Sequence, residues 1–359
     1  MLGTIPRPAL LILLIPLCLY LSHVHANPVL VFVVTGISIL GLISLMSKST
    51  DQLSLSTGPV VGGLLNASFG NFPELLIGIT AIRAGMFVLV KASMVGSVLG
   101  NILFTLGLSM FSGGLKYPTQ RFSKSGSSAS VLMLSLTLLA LMIPSFVHYA
   151  YRSEGLASVA AANVLCSKVS LAAALVLLPV YLSYLFFSLK THASEFSKGG
   201  DSAETPVWGI AFATTMLLVS ATGVAYQSDL FVDSMQGMLA QSSVLSERFM
   251  GIIFVAAIGN AVGLGVALNM ARQNKMDLAF QVSMGASIQV ALFIVPLLVL
   301  YSFWIGQPLP LVFHGVEIIA LWSCTMVGNS LLDGDSNWFE GLMFVAVYLL
   351  LAITFFFLP

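Results

Sequence analysis

One acid stands inside a long apolar run. It is Glu74, in GGLLNASFGNFPELLIGITAI over 62–82, and no other charge interrupts that stretch. An ionised side chain at the centre of a hydrocarbon layer costs about 2.5–3.5 kcal/mol on insertion scales, so it needs a partner or a task. Pro73, one residue earlier, removes a helical hydrogen bond, and the Gly residues around it tolerate unusual backbone. A broken helix beside a buried acid is how membrane proteins build cation sites near the midplane.

The elements that position this acid are membrane helices. The chain has 359 residues, 58% hydrophobic and 8% charged. Soluble domains carry about 25% charged residues. The composition therefore describes an all-α polytopic membrane protein whose solvent is the lipid bilayer. Lysine plus arginine and aspartate plus glutamate each number 14. This balance offers no basic stripe for nucleic acid. Cys18, Cys166 and Cys324 are scattered through apolar segments and read as packing residues. No Cys/His cluster, nucleophile elbow or phosphate loop points to an enzyme or a bound cofactor.

Apolar windows of about 20 residues mark about eleven spans. They centre on 9–22, 29–46, 57–82, 88–113, 129–148, 164–188, 207–227, 249–270, 278–304, 311–332 and 339–358. Arg7, the apolar run 9–21 and the ending Val24-His25-Ala26 also fit a signal-like segment, so residues 1–27 form an N-terminal helix, retained or cleaved. His23 and His25 read as interfacial residues. The polar stretch THASEFSKGGDSAETP (191–206) divides the remainder into 28–190 and 207–359. Its acids Glu195, Asp201 and Glu204 read as a solvated linker. Basic residues fall unevenly between the two faces. Arg7, Lys48, Lys116, Arg121, Lys124, Lys190, Lys198, Arg272 and Lys275 share one; Arg83, Lys91, Arg152, Lys168 and Arg248 share the other. The excess puts the N-terminus and the linker in the cytoplasm.

The second half echoes the first. IGNAVGLGVALNMAR (258–272) aligns without gaps on FGNFPELLIGITAIR (69–83), with Gly259-Asn260 on Gly70-Asn71 and Arg272 on Arg83. In the same frame Gly285 falls on Gly96. The copies occupy the third and eighth spans, and an odd offset implies opposite orientation. Inverted repeats of this kind form secondary transporters, with the site where the repeats meet.

The segment GPVVGGLLNASFGNFPELLIGITAIRAG, continued by VKASMVGSVLGNILFTLGLSMFSGGL and QRF, resembles the first repeat of the calcium/proton antiporters. These are the CAX branch of the cation/calcium exchanger superfamily. The run NKMDLAFQVSMGASIQVALFIVPLLVL (274–300) is similar to their second repeat, and IGQPLPLVF and LLDGDSNWFEG fit the tail. The resemblance implies one extra helix plus two inverted five-helix repeats. It implies calcium leaving the cytoplasm in exchange for protons, with Ca2+ and H+ as cargo. Its text sits closer to prokaryotic members, which favours a bacterial plasma membrane over a vacuolar one.

One departure bears on the chemistry. The second repeat of that family usually reads Gly-Asn-Ala-Ala-Glu-His; here it is Gly259-Asn260-Ala261-Val262-Gly263-Leu264. The second site acid is absent, and the usual Gly-Ser-Ser of the next helix is Gly285-Ala286-Ser287. Calcium takes six to eight oxygens, carboxylates among them. In a low-dielectric pocket a carboxylate holds either the cation or a proton, which is the chemical basis of exchange. Glu74 supplies half of that scheme. The neutral ligands expected beside it are Asn71, Asn260, Ser97, Ser287, Gln289 and backbone carbonyls at the breaks.

No other acid replaces the missing one in the sequence. Asp277 neighbours Lys275 at a loop end, and Glu317 opens a span, where an acid favours a helix N-terminus. Nine residues separate Glu74 from Arg83, too far for a direct pair on one helix face. Asp333-Gly334-Asp335-Ser336-Asn337 begins like an EF-hand, but Trp338 and Phe344 occupy the positions of the required Gly and Glu. Asn66-Ala67-Ser68 matches a glycosylation sequon inside a span. Three functions stay open: a cation/proton exchanger working on Glu74 alone, a transport-incompetent relative, and a lone-charge channel or monovalent exchanger.

Overall fold

The structure is a computed structural model that describes residues 6–153, 159–191 and 205–358. All but the ends of the expected 191–206 linker, with Glu195, Asp201 and Glu204, lies outside the described residues. The described chain is helical apart from one two-residue β pair. In order the helices are α1 (Arg7–His23), α2 (Pro28–Thr57), α3 (Pro59–Phe69), α4 (Phe72–Arg83), α5 (Phe87–Gly114) and α6 (Lys124–Ser153). They continue as α7 (Ala161–Thr191), α8 (Ile210–Gln241), α9 (Glu247–Arg272), α10 (Met276–Trp304), α11 (Gly315–Asp333) and α12 (Trp338–Phe357). Among the described residues 9 helices are long and apolar enough to cross a membrane. The α3–α4 pair and the shorter apolar α1 complete the eleven crossings.

The two repeats carry matching local detail. The turn after α4 has Gly85 at φ 74°, and the turn after α9 has Asn274 at φ 60°. The amide of Gly85 donates to Ile82 and that of Met86 to Ala81; in the same frame Asn274 donates to Ala271 and Lys275 to Met270. This is a left-handed helix stop, where Gly or Asn avoids the steric cost. Each following helix then widens into a π-helical stretch at an equivalent depth, Gly100–Thr105 in α5 and Val290–Ile294 in α10.

Packing follows the same reciprocity. The first helices of the repeats, α2 and α8, cross at the centre. Phe32 stacks on Phe231 at 4.7 Å, and Gln227 donates to Ser38, its counterpart in the frame, at 3.4 Å. Helix α12 packs on α5, and α7 on α10. Close approach between α5 and α9 rests on Gly96 and Gly251, where any Cβ would strike the facing backbone. Small residues serve this purpose in membranes because helix association depends on van der Waals fit.

The repeats differ most at the span that carries the acid, where the second repeat also has a π-helical stretch, Met250–Val255, that α3 lacks. The α3–α4 span breaks at Gly70–Asn71, with Asn71 at φ −115° and ψ 24°. Pro73 there has no amide to give to the carbonyl one turn earlier. A matching break is absent at Gly259–Asn260, where α9 runs on continuously. Its position equivalent to Pro73 is Val262, which keeps its amide, so the helix has no reason to open. The second set of break carbonyls expected from the sequence is therefore not exposed.

Between α10 and α11 the chain forms an extended strap over 307–314 that is buried at Leu309, Leu311 and Phe313. Its backbone is satisfied by side chains. Ser145 donates to the Leu311 carbonyl at 3.1 Å and accepts from the Phe313 amide at 2.9 Å. Ser170 accepts from the Leu311 amide, Lys91 donates to the Val312 carbonyl at 2.7 Å, and Tyr149 donates to that of Phe313. On the opposite face Gln120 and Arg121 pair with Ser336 and Asp335 as antiparallel strands.

Candidate functional site

Glu74 lies in the first turn of α4, where a helix N-terminus favours negative charge. Its carboxylate is pressed against α9 at Gly259: a Cβ added there would lie 2.5 Å from Oε1. Both carboxylate oxygens are buried, and neither has a hydrogen-bond partner among the described residues. An ion pair with Arg83, at the far end of α4, is thereby ruled out. Two buried acceptors without donors are costly, because a buried polar group left unsatisfied costs several kcal/mol.

The asparagines of the two repeats reach across to each other's π-helical junctions. Asn71 Nδ2 donates to the Ala286 carbonyl at 3.4 Å, just before the π stretch of α10. Asn260 Nδ2 donates to the Ser97 carbonyl at 3.2 Å, just before that of α5. Ala286 and Ser97 are equivalent in the repeat frame, so the two bonds are related by the internal symmetry. A π-helical turn leaves a carbonyl without its ordinary partner, and such turns collect at functional sites. Asn71 also donates to Gln289 Oε1 at 2.7 Å.

A cavity of about 480 Å³ leads to this centre. Asn71, Asn101, Asn260 and Gln289 line its inner end; Asp51, Met270 and Gln281 line the end near the helix termini. Those termini share a face with the β pair, since Gln120 donates to the Ala271 carbonyl and to Asn274. Gly263 is also on the wall, and the nearest atom to a Cβ built there is Val282 Cγ1 at 3.9 Å. Where the repeat frame would put a second acid, the structure has open space.

Of the six residues expected at the site, Asn71, Asn260 and Gln289 line the cavity wall. Glu74 sits just behind it against Gly259. Ser97 and Ser287 are buried beside the π junctions and are not on the wall. Ser287 donates to the Ser283 carbonyl at 3.1 Å within its own helix. Asp51 and Asn101 are among the lining residues that sequence reasoning missed. Asp51 lies on α2, and Asn101, second in the π stretch of α5, has a buried Nδ2 with no acceptor among the described residues. Their signal was faint: a single acid near a span end, and one amide in an apolar helix.

The other acids lie elsewhere. Asp277, in the first turn of α10, accepts from the Ser123 amide and from Gln281. Glu317 forms a capping box with His314 and stands 4.0 Å from Arg248, on the face opposite the cavity mouth. Asp333 accepts from the Asp335 amide in its own turn.

Inverted helical repeats, a broken span, and an acid without a partner among the described residues just behind the wall of a one-sided cavity define a secondary transporter for cations. The sodium/calcium exchanger protein family model matches residues 27–190 and 212–357, and the chain belongs to that family. It is 36% identical over 350 residues to a Ca2+/H+ antiporter, ChaA, of Bacillus subtilis, covering 96% of this chain and 97% of the relative. A Ca2+/H+ antiporter of Synechocystis is 34% identical, with 92% and 91% covered. The solved structure of native YfkE superposes with a TM-score of 0.83 at 32% identity, covering 98% of this chain and 100% of that one. A crystal structure of the H+/Ca2+ exchanger CAX shares the fold, with a TM-score of 0.72 at 14% identity over 97% of this chain and 90% of that one. These relatives are transport proteins, not enzymes.

Proposed function

We propose that this protein exchanges calcium, or a related cation, for protons across a membrane. Glu74 is the carboxylate that holds the cation and the proton in turn. The observation that carries this reading is the pair of Glu74 oxygens, buried, without a donor among the described residues, and set against Gly259 on the wall of a cavity open to one face. Amide oxygens of Asn71, Asn101, Asn260 and Gln289 complete the coordination. Ser97 and Ser287 back those ligands from behind the wall. The domain division at 28–190 and 207–359 assigns one repeat to each side of the site. In this reading the N-terminus and the cavity mouth face the cytoplasm of a bacterial cell.

Two carboxylates would neutralise a divalent ion, and this site has one. The open space at Gly263 supports a second reading, a relative that keeps the fold without transport. One experiment separates the two. The purified protein is placed in liposomes with a pH gradient, and calcium entry is followed for the parent chain, Glu74→Gln and Gly263→Glu. Gradient-driven flux that Glu74→Gln abolishes supports exchange. A silent parent that gains flux with Gly263→Glu supports the second reading, and competition by sodium or potassium reports a monovalent preference.

A further inference from the structure

The cavity opens one face, so something closes the other. On that closed side the Thr80 hydroxyl donates to Asp229 Oδ1 at 3.2 Å, joining α4 to α8. One turn farther out, Gln236 Nε2 donates to the Ala84 carbonyl at 3.3 Å across the same seam. Thr80 lies six residues beyond Glu74 on α4, about 9 Å farther from the cavity. Asp229 stands well inside the span of α8 and is exposed at the bundle surface. An ionisable residue at such depth is expensive and is found where an ion or a partner uses it.

The repeats give this seam a counterpart. Helix α8 corresponds to α2, and α4 to the second half of α9. The α4–α8 seam on the closed face is therefore the inverted image of the α2–α9 flank, where the cavity opens past Asp51. At the position equivalent to Thr80, Asn269 accepts from Gln273 within α9 and does not tie the flank. A transporter of this type reaches its other state by exchanging the conformations of its two halves.

We infer that Asp229 is a residue of the transport route on the closed face. The Thr80 hydroxyl holds its carboxylate across the α4–α8 seam in the conformation seen here. When the seam parts, the released carboxylate is the first acid that a cation leaving Glu74 meets. The inference rests on the exchange reading for its cargo and on the geometry alone for the closure.

The test uses the full chain in detergent with Ala81→Cys, a position 1% exposed on the Glu74 side of α4. Cys18, Cys166 and Cys324 are buried, and the parent chain measures their background. The labelling rate by a charged thiol reagent reads the opening of the seam. Thr80→Val and Asp229→Ala each raise that rate about fivefold, as loss of one hydrogen bond does, and the double variant adds nothing further; Asp229→Asn, whose amide oxygen still accepts from Thr80, does not. Thr80→Ser, which keeps the hydroxyl, leaves it unchanged. Calcium then protects the cysteine, and Asp229→Asn raises the required concentration several-fold while Thr80→Val does not. Rates unmoved by Thr80→Val or by Asp229→Ala overturn the closure, and equal loss of protection in Thr80→Val and Asp229→Asn overturns the route. Neither arm requires exchange activity, so failure of the exchange reading shows separately in the liposome assay.

Discussion

Glu74 and Gly259 act as a pair. The carboxylate occupies the volume that a side chain at 259 would fill, so the glycine is the seat of the site acid. Gly259→Ala puts a methyl group 2.5 Å from Oε1. Overpacking of this kind costs about 1–3 kcal/mol. We expect cation affinity to fall by at least about tenfold while the protein stays folded. Calcium titration beside a thermal melt checks this; unchanged affinity would show that the carboxylate sits elsewhere when a cation binds. Gly263 is the opposite case. A Cβ there meets only Val282, at 3.9 Å, so Gly263→Glu starts its side chain in open space on the cavity wall. A second carboxylate neutralises the second charge of a divalent ion, and calcium should bind more tightly relative to sodium. A binding competition at fixed ionic strength measures the ratio, and no gain for calcium would place residue 263 off the ion's path.

At the scale of elements, the reciprocal asparagines lock the two π-helical junctions. Asn71→Ala and Asn260→Ala each leave a buried carbonyl unpaired, a loss of about 1–3 kcal/mol. Asn71→Ala should be the more severe, because Gln289 also loses its donor. Melting temperatures of the two variants in one detergent decide this. The reverse order would mean that the Asn71–Gln289 contact is dispensable. The strap over 307–314 depends on few side chains in the same way. Ser145 serves two of its backbone groups, so Ser145→Ala should lower stability more than Tyr149→Phe, which removes one bond. Equal losses would show that the strap is held chiefly by burial of Leu309, Leu311 and Phe313.

At the scale of the whole molecule, the two halves are alike in helix order, turns and the π-helical stretches of α5 and α10, yet the cavity is lopsided. The first repeat supplies the break, the acid and Asn101; the second supplies a continuous helix and an open wall. The cavity reaches the centre from one face, and polar ties span the seam on the other. A thiol-reactive charged reagent should therefore label Ser47→Cys, on the cavity wall, far faster than Ala81→Cys on the closed side. Comparable rates would show that the closed seam is open for much of the time.

The eleven crossings, the two halves and the acid at Glu74 were legible in the linear chain because lipid imposes local rules, whereas Asp229 was not, because the expected span 207–227 stops short of it while the helix runs on to Gln241. Every span must be apolar over a set length, so an acid inside one stands out, as Glu74 does. The repeat was legible too, since Gly70-Asn71 and Gly259-Asn260 sit in one gapless frame. Tertiary structure alone decided that α9 stays unbroken, that each asparagine serves the other repeat's helix, and that Asp51 and Asn101 share the cavity with Asn260. Those outcomes depend on which faces of distant helices meet, and hydropathy carries no information about that. The same holds for Asp229, whose partner Thr80 lies 149 residues away along the chain.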